Sequence, residues 1–387
     1  MSWSSPSRSL RAIPHGVAGV ALVALAAPAS AAERRATIAA TGGLSVADNP
    51  YLSTQSNVSA LLAEFALHPK LSSKTEVSAV ELSGTLGHRR YSAGLGSYLY
   101  GNGLLSASVR RSERLALSGS AHYRHEISTD SVEDTAGAVD PRSIRRAMGG
   151  RASAVWQVSE LSSLSPSFSA ERVSYDRSDE LLRHDQVTAG LGFTRRLSPT
   201  TSLGLAGNAM AIMYRGQPDA QVVSANATVS YRLSERFTVN GALGLERSSF
   251  TAGEGLEADR QSKLFVSGNG QICRRSEYSS LCAVASAASS PSGRGSIERR
   301  LSGGVSYGHR LGEFSNLSLG LNYQRSTALS QTGEGRVEML QASASFDKKL
   351  TDFLTVDTFL KYRRRGGLES ARSAQAGINL RIKTGRQ

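Results

Sequence analysis

The chain is poor in the residues from which a soluble β-protein of its size builds a core. Aromatic residues make up 6% of its 387 positions, proline occurs ten times and cysteine twice. Dense Val/Ile/Phe runs of five or six residues, the usual core strands, are missing. Beyond the N-terminus no apolar stretch reaches the ~20 residues of a membrane helix. Gly304-Val305-Ser306-Tyr307-Gly308 matches G-x-S-x-G inside an alternating run and not at a strand-to-helix elbow, and no H-E-x-x-H or C-x-x-C motif occurs, so neither a catalytic residue nor a metal or cofactor site is expected, and the chain does not read as an enzyme. His122 and His125 lie three apart on a strand pattern and so point to opposite faces, unable to share a metal.

Alternation fills the space left by these absences. In residues 237–246, Phe237, Val239, Gly241, Leu243 and Leu245 fall on one face, and Thr238, Asn240, Ala242, Gly244 and Glu246 on the other. A polar turn at 233–236 precedes this run, and similar turns recur at 196–203, 310–317 and 349–354. Repetition of one unit along the chain reads as a series of antiparallel hairpins. The runs are about 11–16 residues long and half of each is Ser, Thr, Asn, Gly, Arg or Gln. An apolar outer band around a wet lumen requires that pattern.

Residues 1–31 read as a secretory signal. Arg8 and Arg11 form the basic region, residues 16–27 (GVAGVALVALAA) the apolar one, and Ala29-Ser30-Ala31 the cleavage site. Twelve apolar residues are too few to span a bilayer. The fold class expected is therefore all-β: residues 32–387 form a single transmembrane antiparallel up-and-down β-barrel.

Segmentation gives eighteen strands, with sixteen as the alternative, since strands one, six and thirteen are weakly patterned. Short turns join strands 2–3, 4–5, 6–7, 8–9, 10–11, 14–15 and 16–17, and most longer connections join the others. Outer-membrane barrels have short periplasmic turns and long external loops, which places both termini in the periplasm. The longest break, residues 128–146, is the candidate for a loop that fills the lumen. Tyr231, Phe237, Phe314, Tyr323, Phe346 and Tyr362 fall near strand ends on the outward parity, as interfacial aromatics do.

Formal net charge is +13; the signal contributes two Arg and no acids, leaving +11. Such a balance points to acidic partners, and the phosphates of outer-membrane lipopolysaccharide are one such partner. No nucleic-acid module accompanies the charge, so no nucleic-acid partner is expected. Arg124, Arg195, Arg232, Arg310, Lys361, Arg363 and Arg381 fall on the polar parity or at its ends. Two readings of these seven stand open. Rings of Arg and Lys inside a pore select anions, and Arg pairs bidentately with carboxylates. Alternatively Glu81, Glu246, Glu338 and Asp357 balance them in lumenal salt bridges. Cys273 and Cys282 flank a turn candidate at 274–281 symmetrically, and in an oxidising compartment a cross-hairpin disulfide is expected.

The stretch Thr41-Gly42-Gly43-Leu44-Ser45-Val46-Ala47-Asp48-Asn49-Pro50-Tyr51-Leu52 resembles the mature N-termini of outer-membrane β-barrel proteins of bacterial exopolysaccharide loci, the sphingan (gellan-type) ones included. The resemblance is specific over these dozen residues and architectural beyond them. It implies secretion of an acidic polysaccharide through a basic-lined aqueous lumen, with separate periplasmic secretion partners. From the residues alone, the alternatives are a general or anion-preferring small-solute porin, or a plugged accessory barrel.

Overall fold

A computed structural model describes residues 33–384 apart from 55–56, 128–142, 177–180, 253–258, 330–335 and 368–369. The signal segment and most of the 128–146 break lie outside the described residues. The first strands are β1 (Glu33–Asp48), β2 (Ser59–Lys74), β3 (Ser78–Tyr91), β4 (Ser97–Arg110) and β5 (Leu115–Ile127). Next come β6 (Ile144–Gln157), β7 (Ser162–Asp176), β8 (His184–Arg196), β9 (Thr201–Tyr214) and β10 (Ala220–Arg232). They are followed by β11 (Phe237–Ala252), β12 (Asp259–Arg275), β13 (Ser279–Pro291) and β14 (Ile297–Arg310). The last are β15 (Ser315–Ala328), β16 (Arg336–Lys349), β17 (Leu354–Gly366) and β18 (Ala371–Thr384). Each pairs antiparallel with its sequence neighbours, and β1 pairs with β18 from Ile38↔Thr384 to Asp48↔Ala374, which closes the sheet.

Alternation decides which side of the wall each residue takes. On β11, Leu243 and Leu245 are exposed at 67% and 52%, while Glu246 and Ser248 on the opposite parity are buried. The same division runs round the cylinder, with Leu44, Phe65, Leu86, Leu205, Leu264, Leu321, Leu360 and Leu380 exposed on the outer face. A large apolar outer surface on a closed sheet without free edges is the condition for a barrel that sits in lipid.

One end of the cylinder is made of tight turns closed by a hydroxyl. Ser78 N–H donates to Thr75 Oγ1 at 2.9 Å, Leu115 N–H to Ser112 Oγ at 3.1 Å and Phe237 N–H to Ser234 Oγ at 3.2 Å. Ser279 N–H to Ser276 Oγ and Leu354 N–H to Thr351 Oγ1 repeat the device at 3.1 Å each. Short hydroxyl side chains that bond the backbone three residues on favour such turns. In the last of them, Lys349 Nζ donates to Asp352 and holds that carboxyl below its ordinary pKa.

Three features depart from a regular ladder of hairpins. β2 continues through Pro69 to Lys74. Proline has no N–H for the ladder, and the pairing of β2 with β3 lapses at His68 and Pro69, between Leu67↔Leu86 and Lys70↔Ser83. Pairing with β1 carries on across the gap. The His68 ring spans it, with Nε2 3.1 Å from Thr41 Oγ1 and Nδ1 3.1 Å from Thr85 Oγ1. His68→Ala removes both bonds, worth about 1 kcal/mol each, so urea unfolding of the refolded barrel should show a loss of about 1–2 kcal/mol. An unchanged midpoint would refute the bridge. Pro166 in β7 produces a matching lapse against β6, between Ser153↔Ser167 and Trp156↔Leu164.

The turn between Cys273 and Cys282 is tighter than 274–281. β12 runs to Arg275 and β13 starts at Ser279, so the two cysteines sit directly opposite across the ladder, 4.1 Å apart at Cα and disulfide-bonded. Finally, β12 and β13 part company above Gly268↔Ala287. There the end of β13 turns toward the lumen: Ser289 N–H donates to the inward Glu246 carboxylate at 3.0 Å, and Arg299 donates to the Val266 carbonyl.

Candidate functional site in the lumen

The inner wall has two zones. From the waist toward the short-turn end it is lined by small polar groups that satisfy one another across strands: Ser118–Ser153 at 2.8 Å, Ser230–Asn240 at 2.8 Å, Ser267–Asn226 at 3.1 Å and Ser286–Ser302 at 2.6 Å. Charged and aromatic side chains gather toward the long-loop end, where two segments of chain fold into the lumen.

The first inward segment follows β1. Asn49 and Leu52 adopt positive φ and turn the chain inward. Tyr51 packs with Ala47, Ala60, Leu62, Tyr91 and Ile127, and its hydroxyl donates to Leu95 O at 3.0 Å. The second is the β13–β14 connection. Gly293 O accepts from Leu182 N–H, Ser296 O accepts from Tyr214 Oη at 2.6 Å, and Ile297 is buried with Ile212, Val222, Phe250 and Leu329. These contacts give the protein its buried apolar clusters among the described residues, placed inside the mouth because the outer face is committed to lipid.

Next to the first segment lies a polar cavity of about 260 Å³, lined by Pro50, Leu62, Arg89, Tyr91, Lys361, Arg363 and Gln375. Strand register brings these residues together from β2, β3, β17 and β18 across β1. Arg89 is fixed from several directions. Its Nε donates to Glu64 at 2.8 Å and its Nη1 to Tyr98 Oη at 2.8 Å, and its guanidinium lies 5.2 Å from the Tyr100 ring centre. Tyr100 Oη also donates to Glu64, while Tyr91 and Tyr98 hydroxyls meet at 3.1 Å. The Tyr100 ring lies over Gly87, where any Cβ would collide with it. On the other side Arg363 donates to Pro50 O at 2.8 Å and is 8% exposed. Its planar fork is pinned there beside Lys361. Among the described residues, three cations and one carboxylate, Glu64, give the cavity a net positive field, and oriented tyrosine hydroxyls and the Gln375 amide add donors.

Of the seven basic candidates, Lys361 and Arg363 line this cavity. Arg124 is on the inner face of β5 between Asn102 and Ala147, two residues along from His122, which meets Glu171 at 3.5 Å. Arg232, Arg310 and Arg381 keep the inward parity but lie near the short-turn end, far along their strands from the cavity. Arg195 is turned the other way: opposite Ser162 and the exposed Leu203 it shares the outer face, while Arg196 takes the inner one. The Thr-Arg-Arg end of β8 offered both parities, and only the register separates them.

Three of the four acids proposed as balance are inward and engaged: Glu81 with Lys70 at 2.9 Å, Glu246 with Arg299 at 3.5 Å and Asp357 with Asn379 at 3.1 Å. Glu338 is on the outer face, opposite Arg325, and pairs with Arg336. Arg89, Glu64 and the tyrosines are not among the seven basic candidates or the four acids. Their signal was present in the i, i+2 pairs Arg89/Tyr91 and Tyr98/Tyr100, which put four long polar side chains on one face of a hairpin.

A closed antiparallel sheet, apolar without and polar within, defines a transmembrane β-barrel of the outer-membrane class. No family model matches the chain, and no curated protein does. Among solved structures it is similar to Pseudomonas aeruginosa OpdQ, at 11% identity and a TM-score of 0.48, over 92% of this chain and 100% of that one. It is similar also to Pseudomonas aeruginosa OpdK with vanillate, at 12% and 0.48, over 92% and 99%. Acinetobacter baumannii OccAB3 matches at 11% and 0.45, over 91% and 100%.

Proposed function

We propose that this barrel is an anion-preferring outer-membrane channel for small carboxylate-bearing solutes, with the short turns and both termini on the periplasmic side. One observation carries the reading: Arg89, Lys361 and Arg363 converge in one lumenal cavity beside Tyr91 and Gln375. Arginine forks match carboxylate geometry and keep their charge at any working pH. The two segments folded into the mouth narrow the path on the long-loop side, which suits a small solute better than a polymer chain. Release from the cavity toward the waist meets neutral hydroxyls and amides, so a solute attracted at the mouth is not trapped further in.

Export of an acidic polysaccharide is the second reading. The resemblance of residues 41–52 and the hydroxyl-rich waist favour it, since sugar hydroxyls exchange readily with Ser and Asn side chains. Planar-bilayer recordings of the refolded protein under a salt gradient separate the two. A reversal potential of anion-selective sign, with glucuronate shortening open times at low salt, is expected for the small-solute channel. Interruption by an acidic polymer and indifference to glucuronate would move the protein to the second reading. Cation selectivity would overturn both.

A further inference from the structure

The outer face at the long-loop rim carries arginines, and in the β6–β8 sector Arg146 and Arg172 each have an acid of their own. Arg146 meets Asp176 at 2.6 Å on β6–β7, and Arg172 chelates Asp185 through two bonds of 2.7 and 2.8 Å on β7–β8. The β15–β18 sector differs. Arg364 and Arg372 are directly opposite each other on β17 and β18, both exposed, on the parity of the lipid-facing Leu360 and Tyr362. Like charges at directly opposed positions of an antiparallel pair destabilise it. Arg325 adds a third cation on the same face, and Glu338, opposite it, is taken by Arg336 through Nε at 2.8 Å. Among the described residues of this outer patch the balance is four arginines, Arg325, Arg336, Arg364 and Arg372, to one carboxylate. The apolar outer face of β16–β18, with Leu340, Leu360, Ile378 and Leu380, begins directly below.

We infer that this patch is a binding site for a phosphate-bearing lipid of the outer leaflet. A phosphate seated between Arg364 and Arg372 would relieve their repulsion through charge-assisted hydrogen bonds, and Arg325 would be within reach of a second phosphate on the same headgroup. Acyl chains would lie along the apolar face of β16–β18. A lipid is favoured over a free anion because the arginines sit on the membrane side of the wall, above a continuous apolar surface. The inference is independent of the conduction pathway, whose residues take the opposite parity.

Native mass spectrometry of the detergent-solubilised full-length protein tests it, with bisphosphorylated lipid A as probe. Arg364→Gln/Arg372→Gln should lower retention of that lipid about tenfold or more, as the loss of charge-assisted bonds requires. Arg146→Gln, in the balanced sector, should retain it like the parent. Dephosphorylated lipid A should bind parent and double variant alike, and single-channel conductance of the double variant should stay at the parent value. Heat-modifiable gel mobility reports folding, and the single variants Arg364→Gln and Arg372→Gln serve if the double one does not fold. Unchanged retention in these variants would overturn the site. Equal loss with the dephosphorylated lipid, or displacement of lipid A by inorganic phosphate at equal phosphate concentration, would overturn the lipid assignment.

Discussion

Replacing Lys361 and Arg363 by glutamate will reverse the sign of the reversal potential in a salt gradient. The pair moves from two positive to two negative charges at a point where the lumen is narrowed by the inward segment after β1. Each unit of charge contributes about 1 kcal/mol to a passing ion at close range even at the dielectric of water. The double change moves four charge units, so the anion-to-cation permeability ratio should fall about a thousandfold or more at low ionic strength, and less at high salt as screening sets in. Lys361→Glu alone should give about half that effect on a logarithmic scale. Arg363→Glu does a second thing: it frees the Pro50 carbonyl and the turn it holds. Conductance amplitude would report movement of that turn, whereas the reversal potential reports charge. A double variant that keeps the parent's reversal potential would place the selectivity determinant elsewhere, with Arg124 and the short-turn arginines next in line.

Leu243→Arg will cost far more stability than Ala242→Arg, one residue away. Leu243 is among the most exposed apolar side chains on the outer face, midway along β11 between Ala227 and Gly268. An arginine placed on the lipid face near the midplane destabilises a barrel by about 2–4 kcal/mol. Ala242 faces the waist, between Thr228 and Asn269, where an added arginine meets water and polar groups. Its cost should stay within about 0.5 kcal/mol, the usual range for a solvated surface change. Urea titration of folding into bilayers measures both. Equal losses would mean that the apolar parity does not face lipid, which would undo the reading of the wall itself.

Much of this wall was legible in the residues, because a barrel strand writes its two environments into alternate positions. The strand count of eighteen is the one segmentation gives, and Cys273 and Cys282 face each other across the hairpin expected between them. The harder elements have physical causes. Pro69 lies inside a central strand, where a residue without an N–H has no place in a regular ladder. The structure instead omits two ladder pairs and spans the gap with His68. Arg195 and Glu338 were assigned inward because charge suggests water, yet near a strand end the outer face also meets water and headgroups, so charge ceases to report parity. The cavity was the least legible part. Lys361 and Arg363 were singled out, but Arg89 and Glu64 come from strands about 270 to 300 residues earlier, and only closure of the sheet brings them within reach.

That closure has a further consequence, for the order in which the protein can become itself. β1 has no second neighbour until β18 exists, since the pairs from Ile38↔Thr384 to Asp48↔Ala374 join the strand made first to the strand made last. Contacts at that sequence separation are the slowest to form. Until they form, every partial sheet carries two raw edges and an apolar face with no lipid to meet, the state most open to aggregation. The cavity, built across β1 from β2–β3 on one side and β17–β18 on the other, is assembled in that same final event. A chain that has not closed has no anion site to offer, so selectivity is itself a report that the cylinder is complete.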